Sequence, residues 1–244
     1  MKSSSQIPID QRYAKAAARL SAVLGAATLT LLMLSAAAQA ASRPVVVELF
    51  TSQGCSSCPP ADALLGELAQ RSNVIALGFH VDYWDNLGWK DPLSAPGSTR
   101  RQRDYAQLLN LPTIYTPQMV IEGRLDVVGS NRSAVLDGID RAAPESAASI
   151  AFSDDRHAVT IGSGSGSGKV LLVRFLRQRQ TTVARGENAG REARDANGVT
   201  AISELGRWQG QELHFPIAPP SDDEGVAVLL QRDDGHMLGA ASVL

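Results

Sequence analysis

Cysteine is nearly absent from this 244-residue chain, which holds two, Cys55 and Cys58. A bridge between residues that close would shut too small a loop to hold a fold together. Aromatic residues make up only 5% of the chain, so a core must rest on Val, Leu, Ile and Ala. No excess of one charge is present: the formal net charge is −2, which gives no electrostatic reason to bind nucleic acid. Beyond one run near the start, no apolar stretch is long enough to span a membrane. Hydrolase and nucleotide signatures are missing too, with no H-E-x-x-H, no phosphate loop and no G-x-S-x-G. "GSGSGSG" at 162–168 is low complexity without the strand-to-helix context of a nucleophile elbow. The sequence calls for no cofactor.

The apolar run that does exist belongs to the first forty residues. Lys2, Arg12, Lys15 and Arg19 form a basic head, "LSAVLGAATLTLLMLSAAA" follows, and "AQA" ends at Ala40. This pattern predicts a secretory signal peptide over 1–40, cleaved after Ala40, and a periplasmic or secreted protein with no membrane association afterwards. A retained membrane anchor is the alternative, against which the run is short and Ala-rich. Removing four basic residues and Asp10 takes the formal charge from −2 to about −5.

The remainder reads in two parts. "PVVVELF" (44–50) and "NVIALGFHVD" (73–82) are buried-strand runs on either side of a helix over 59–72. That helix opens on Pro59 and Pro60, tolerated where the first N–H groups have no helical partner. A turn-rich stretch (83–97) leads to an amphipathic helix over 98–110 with a Ser or Thr cap. Two short strands follow at 118–122 and 125–128, then a helix over 131–143 with Asn131 as its cap. Alternation followed by a hairpin predicts an α/β fold, a mixed sheet flanked by helices, over 43–143. From about Pro144 short alternating runs predict a C-terminal antiparallel β domain over 147–244, with 162–168 as a hairpin loop inside it.

The cysteines stand between the first strand and the first helix, as "GCSSC". At a helix N-terminus Cys55 gains thiolate character from the dipole and unpaired N–H groups. Cys58, one turn into the helix, is placed to resolve a mixed disulfide on Cys55. In an oxidising compartment the pair is expected to be bridged unless something reduces it.

"VVVELF", "GCSSC", the following helix and "TPQMVIEGRLDVVG" together resemble the thioredoxin fold. The resemblance implies a cis-proline before the third core strand, lying against the reactive cysteine. Pro117 fits because its strand begins at once; Pro112 is the rival and leaves an extra "TIY". It also implies a buried acid on the first strand that moves protons for Cys58. Glu48 is the nearest match, with a solvent-facing strand-edge Glu as the equal alternative. Gly54 replaces the tryptophan expected before the first cysteine, and Ser56-Ser57 replaces Gly-Pro, so the direction of electron flow is open. Over nearly the whole mature chain, "VELFTSQGCSSCPPAD", "HVDYWDNLGWKDPLS", "TPQMVIEG" and "ARGENAGRE" resemble the secreted bacterial family catalogued as domain of unknown function 1223.

The expected function is thiol-disulfide exchange with protein thiols or disulfides through Cys55, Cys58, Pro117 and Glu48. Two alternatives stay open. One is a thioredoxin-fold protein binding copper or zinc through Cys55, Cys58 and His80. The other is a binding module whose C-x-x-C is a closed, inert bridge. Tyr83, Trp84 and Trp89 either line a partner groove or pack their own loop, and "RGENAGREARD" (185–195) either meets the cysteine site or turns a corner.

Overall fold

The computed structural model describes residues 43–142, 144 and 146–244. The expected signal segment lies outside them. Strand β1 (Val45–Thr51), helix α1 (Pro59–Leu68) and strand β2 (Val74–His80) form a parallel β-α-β unit. Helix α2 (Pro96–Leu108) follows, then strands β3 (Gln118–Ile121) and β4 (Leu125–Val128), then helix α3 (Arg132–Arg141). The rest is strand: β5 (Ile150–Phe152), β6 (Ala158–Ile161), β7 (Gly168–Thr182), β8 (Glu192–Trp208), β9 (Leu213–Pro216), β10 (Glu224–Gln231) and β11 (Met237–Val243).

Eight strands make one mixed sheet in the order β11-β10-β7-β8-β2-β1-β3-β4, and β5-β6-β9 make a second. Every residue of β1 and β2 is buried, as expected of parallel strands covered on both faces. Their side chains alternate between two layers. Val47 and Leu49 pack with Ala61, Leu64 and Leu65 of α1, while Val46 and Phe50 pack with Tyr105 of α2.

The C-terminal strands do not stand apart from this core. β8 joins β2 in parallel through the pair Gly78 and Gly198, so the large sheet runs through both halves of the chain. Phe175, Val199, Leu229 and Met237 enter the same apolar cluster as Val46, Leu77 and Phe79. The close approach explains the glycine at 78: a Cβ there would lie 3.2 Å from the Leu65 side chain and 3.3 Å from the Ala196 carbonyl oxygen.

Two local expectations change, and one stands. Helix α2 starts at Pro96, two residues before the expected cap, because proline's fixed φ suits the first helical position. Ser98 and Thr99 therefore lie inside the helix, and Thr99 Oγ1 donates to Asp82 Oδ1 at 2.5 Å. The 162–168 segment is not a hairpin loop. It carries the chain from β6 in the small sheet to β7 in the large one, and a Cβ on Gly164 would strike the Ala147 carbonyl oxygen at 1.9 Å. The cap on α3 is the expected one, Asn131 Oδ1 accepting from Ala134 N–H at 3.2 Å.

Candidate functional site

Cys55 and Cys58 form a disulfide with a Cα–Cα distance of 5.4 Å. Turn hydrogen bonds hold it: Cys55 N–H donates to Ser52 O, and Cys58 N–H to Cys55 O. The expected position of Cys58 inside the helix is corrected. Cys58 is the N-cap, its carbonyl accepting the first helical bonds from Ala61 and Asp62, because the prolines at 59 and 60 have no N–H to give. Both cysteines thus stand at the positive end of the helix, Cys58 as its cap and Cys55 in the turn that leads into it. Both cysteines are 0% exposed, whereas Ser56 and Ser57 between them are open to solvent.

Three segments hem in the turn. The Thr116–Pro117 peptide bond is cis, and Ser57 Oγ lies 3.5 Å from the Thr116 carbonyl, which brings the start of β3 beside the cysteines. Trp84 Nε1 donates to Thr116 Oγ1 at 2.9 Å, while its Cβ is the neighbour a side chain on Gly54 would meet. The third segment comes from far along the chain. The β7–β8 connection, 183–191, folds its tip onto the turn. There Asn188 Nδ2 donates to Gln53 O at 2.9 Å and Cys55 O at 2.8 Å, and Ser56 N–H donates to Glu187 Oε2 at 3.1 Å. The "RGENAGREARD" stretch therefore meets the cysteine turn.

A buried ionisable cluster lies alongside. His80, at the end of β2, has its Nδ1 2.7 Å from Asp91 Oδ2 and its Nε2 3.8 Å from Asp195 Oδ1. Burial works against the imidazolium. The Asp91 hydrogen bond and the charges of Asp91, Asp195 and Asp62 outweigh it, pushing the pKa up to about 9. Asp62 stands one helical turn after Cys58 and accepts from Thr51 Oγ1 at 2.6 Å. Desolvation pushes its carboxyl up to about 7, against the lowering effects of Thr51 and His80. Asp195 is also raised, chiefly by burial, and accepts from Gln53 Nε2 at 2.7 Å. Gln53 Oε1 in turn accepts from Trp89 Nε1 at 3.1 Å, so Trp89 braces the cluster.

Glu48 sits elsewhere. It points to the α2 side of β1, away from α1, where Arg101 grips both carboxylate oxygens at 2.6 and 3.0 Å and Tyr105 donates to one of them. The guanidinium also lies over the Phe79 and Tyr105 rings, 5.6 and 5.0 Å from their centroids. Side chains alternate faces along a strand, so one register step separates this acid from the α1 side that carries Asp62. Nor is His80 turned toward sulfur, since both ring nitrogens face carboxylates. Among the described residues no group of three or more His, Cys, Asp or Glu side chains is placed to hold a metal ion.

Sequence reasoning missed Asp62, Asp91, Asp195 and Asn188. Asp62 carried a signal, its i+4 spacing from Cys58 in "CPPAD". Asp195 and Asn188 lie in the "RGENAGREARD" stretch, whose approach to the cysteines the sequence left open, and the β7–β8 hairpin brings them to the site.

The class of molecule is thus a mixed α/β protein with a large mixed sheet, few helices and one buried disulfide at a strand-to-helix turn. The chain belongs to the family described as Protein of unknown function (DUF1223), whose model matches residues 46–231. It is similar to protein AGR_C_4864 from Agrobacterium tumefaciens, known from a crystal structure. The identity is 32%, covering 83% of this chain and 95% of that one, with a TM-score of 0.69. HBP35 of Porphyromonas gingivalis is similar in fold, with a TM-score of 0.51 at 13% identity over 83% of this chain and 75% of that one. A search of curated proteins finds no match.

Proposed function

We propose that this protein is an exported thiol-disulfide oxidoreductase with a thioredoxin-like core, acting on protein thiols or disulfides. The observation that carries the reading is the Cys55–Cys58 bridge at the start of α1 with Asp62 one turn behind it. A bridge that closes so short a loop adds little to stability, and a carboxyl pushed up to about 7 on the first turn of the helix that follows it serves proton transfer.

In the reduced protein the Cys55 thiolate attacks a substrate disulfide, forming a mixed disulfide and releasing one substrate thiolate. Cys58 passes its proton to ionised Asp62 and attacks Cys55 Sγ. The 55–58 bridge closes and the second substrate thiolate leaves, so two electrons pass from protein to substrate. Run backwards, the same steps donate a disulfide. Thr116 and Pro117 form the edge against which the substrate backbone rests. Glu48 has no part in this scheme, its oxygens being held by Arg101 and Tyr105.

Cys55→Ser should abolish exchange with a model dithiol. Cys58→Ser should accumulate a mixed disulfide visible by non-reducing electrophoresis and mass spectrometry. If both variants exchange at the wild-type rate, the reading fails.

A further inference from the structure

The geometry points to a second binding site, an arginine-lined cleft beside the cysteine turn that takes a carboxylate-rich segment of a partner polypeptide. The cleft has a volume of about 990 Å³ and lies between α1 and the β7–β8 hairpin. Its size suits a short stretch of chain. Neither cysteine lines it. It shares Gln53 and Asn188 with the wall of the cysteine turn, so an occupant would lie next to the disulfide rather than on it.

Charge decides what fits. Three guanidiniums line the cleft, those of Arg179, Arg191 and Arg194. None makes a side-chain hydrogen bond or ion pair among the described residues. The acids lining the same cleft are already served from within the molecule. Glu192 accepts from Thr182 Oγ1 and Gln180 Nε2 at 2.5 and 3.0 Å. Asp195 accepts from Gln53 and faces the His80 ring. Asp62 accepts from Thr51, and burial keeps its carboxyl largely protonated below about pH 7. The unmet demand in the cleft is for anions, and a guanidinium fork matches a carboxylate with two parallel hydrogen bonds.

This site names a recognition feature of the partner and deepens the proposed function, yet its test does not pass through thiol chemistry. The probe is a fluorescein-labelled peptide of alternating Glu and Ala without cysteine, titrated into the full chain with its disulfide closed and followed by anisotropy. A Lys-Ala peptide of equal length is the comparison. The Glu peptide should bind at least about tenfold tighter, with affinity falling as salt rises. Arg179→Ala/Arg191→Ala/Arg194→Ala should remove that preference. These side chains have no hydrogen bond or ion pair to lose, Arg179 and Arg194 acting on Asp195 and Glu192 only through their charge, and an unchanged near-UV circular dichroism spectrum checks the fold. The matched triple variant Arg71→Ala/Arg100→Ala/Arg103→Ala, with the same net charge, should bind as the parent does. Equal affinity for the two peptides, or equal loss in the two triple variants, overturns the site. Either result leaves the cysteine-variant experiments above to be judged separately.

Discussion

Replacing Asp62 with asparagine keeps an acceptor for Thr51 and removes the one carboxyl that stands a turn behind Cys58. The rate at which Cys58 closes the disulfide should then lose its inflection near pH 7 and fall about a hundredfold, as stopped-flow Trp fluorescence can follow. The same residue bears on stability. Its folded pKa, about 7, lies above its ordinary 3.8, so its contribution is full below 3.8 and lost as pH rises through 7. His80 acts in the same sense at higher pH. Its folded pKa of about 9 exceeds 6.5, so its contribution is full below 6.5 and lost as pH rises through 9. Urea midpoints of the parent should fall from pH 5 to pH 9.5, and Asp62→Asn should remove the part below pH 7. His80→Ala leaves Asp91 buried without its partner. It should cost about 3–5 kcal/mol at pH 6, read from the same urea curves.

At the scale of elements, the β7–β8 hairpin matters most, because its tip clasps the cysteine turn. Asn188→Ala deletes two hydrogen bonds, to Gln53 O and Cys55 O, each worth about 1 kcal/mol. Both sulfurs are buried, so reduction must await loosening of the surrounding segments. The variant should be reduced by dithiothreitol about tenfold faster than the parent at equal pH. The elements themselves were largely legible. Apolar runs marked β1 and β2, the two prolines marked the start of α1, and the strand directly after Pro117 marked that residue over Pro112. The acid behind Cys58 was legible only as the i+4 spacing in "CPPAD". Glu48 has the expected place on β1, but strand alternation turns it to the α2 face, where Arg101 binds it. The end of β2 shows in the sequence and puts His80 on the cysteine side, whereas its partners Asp91 and Asp195 come from a loop and a distant hairpin. Local pattern reports which face a residue shares with its neighbours in sequence; it cannot report what a hairpin more than a hundred residues later brings back.

Across the whole molecule, the shift in composition near Pro144 marks where helices give way to strands, and the sheet and its core continue through it. Phe175 in β7 is 1% exposed and shares its cluster with Phe50, Phe79 and Tyr105. Phe175→Ala should therefore cost about 3–5 kcal/mol and lower a single transition followed both by far-UV circular dichroism and by the fluorescence of Trp84, Trp89 and Trp208. Two separated transitions would mean that the halves fold apart. The shared core also fixes the candidate site, since the β1–α1 turn supplies the cysteines and α1 supplies Asp62, while the hairpin of the later half supplies Asn188 and Asp195. The measurement that bears most directly on the proposed chemistry is the reduction potential of the Cys55–Cys58 pair, by equilibration of the intact protein in glutathione buffers. Exchange with protein partners predicts a value between about −120 and −270 mV, the span from strong oxidants to thioredoxin. A value below about −300 mV would mark a bridge the glutathione pool does not reduce, and would contradict the assignment of exchange chemistry to this site.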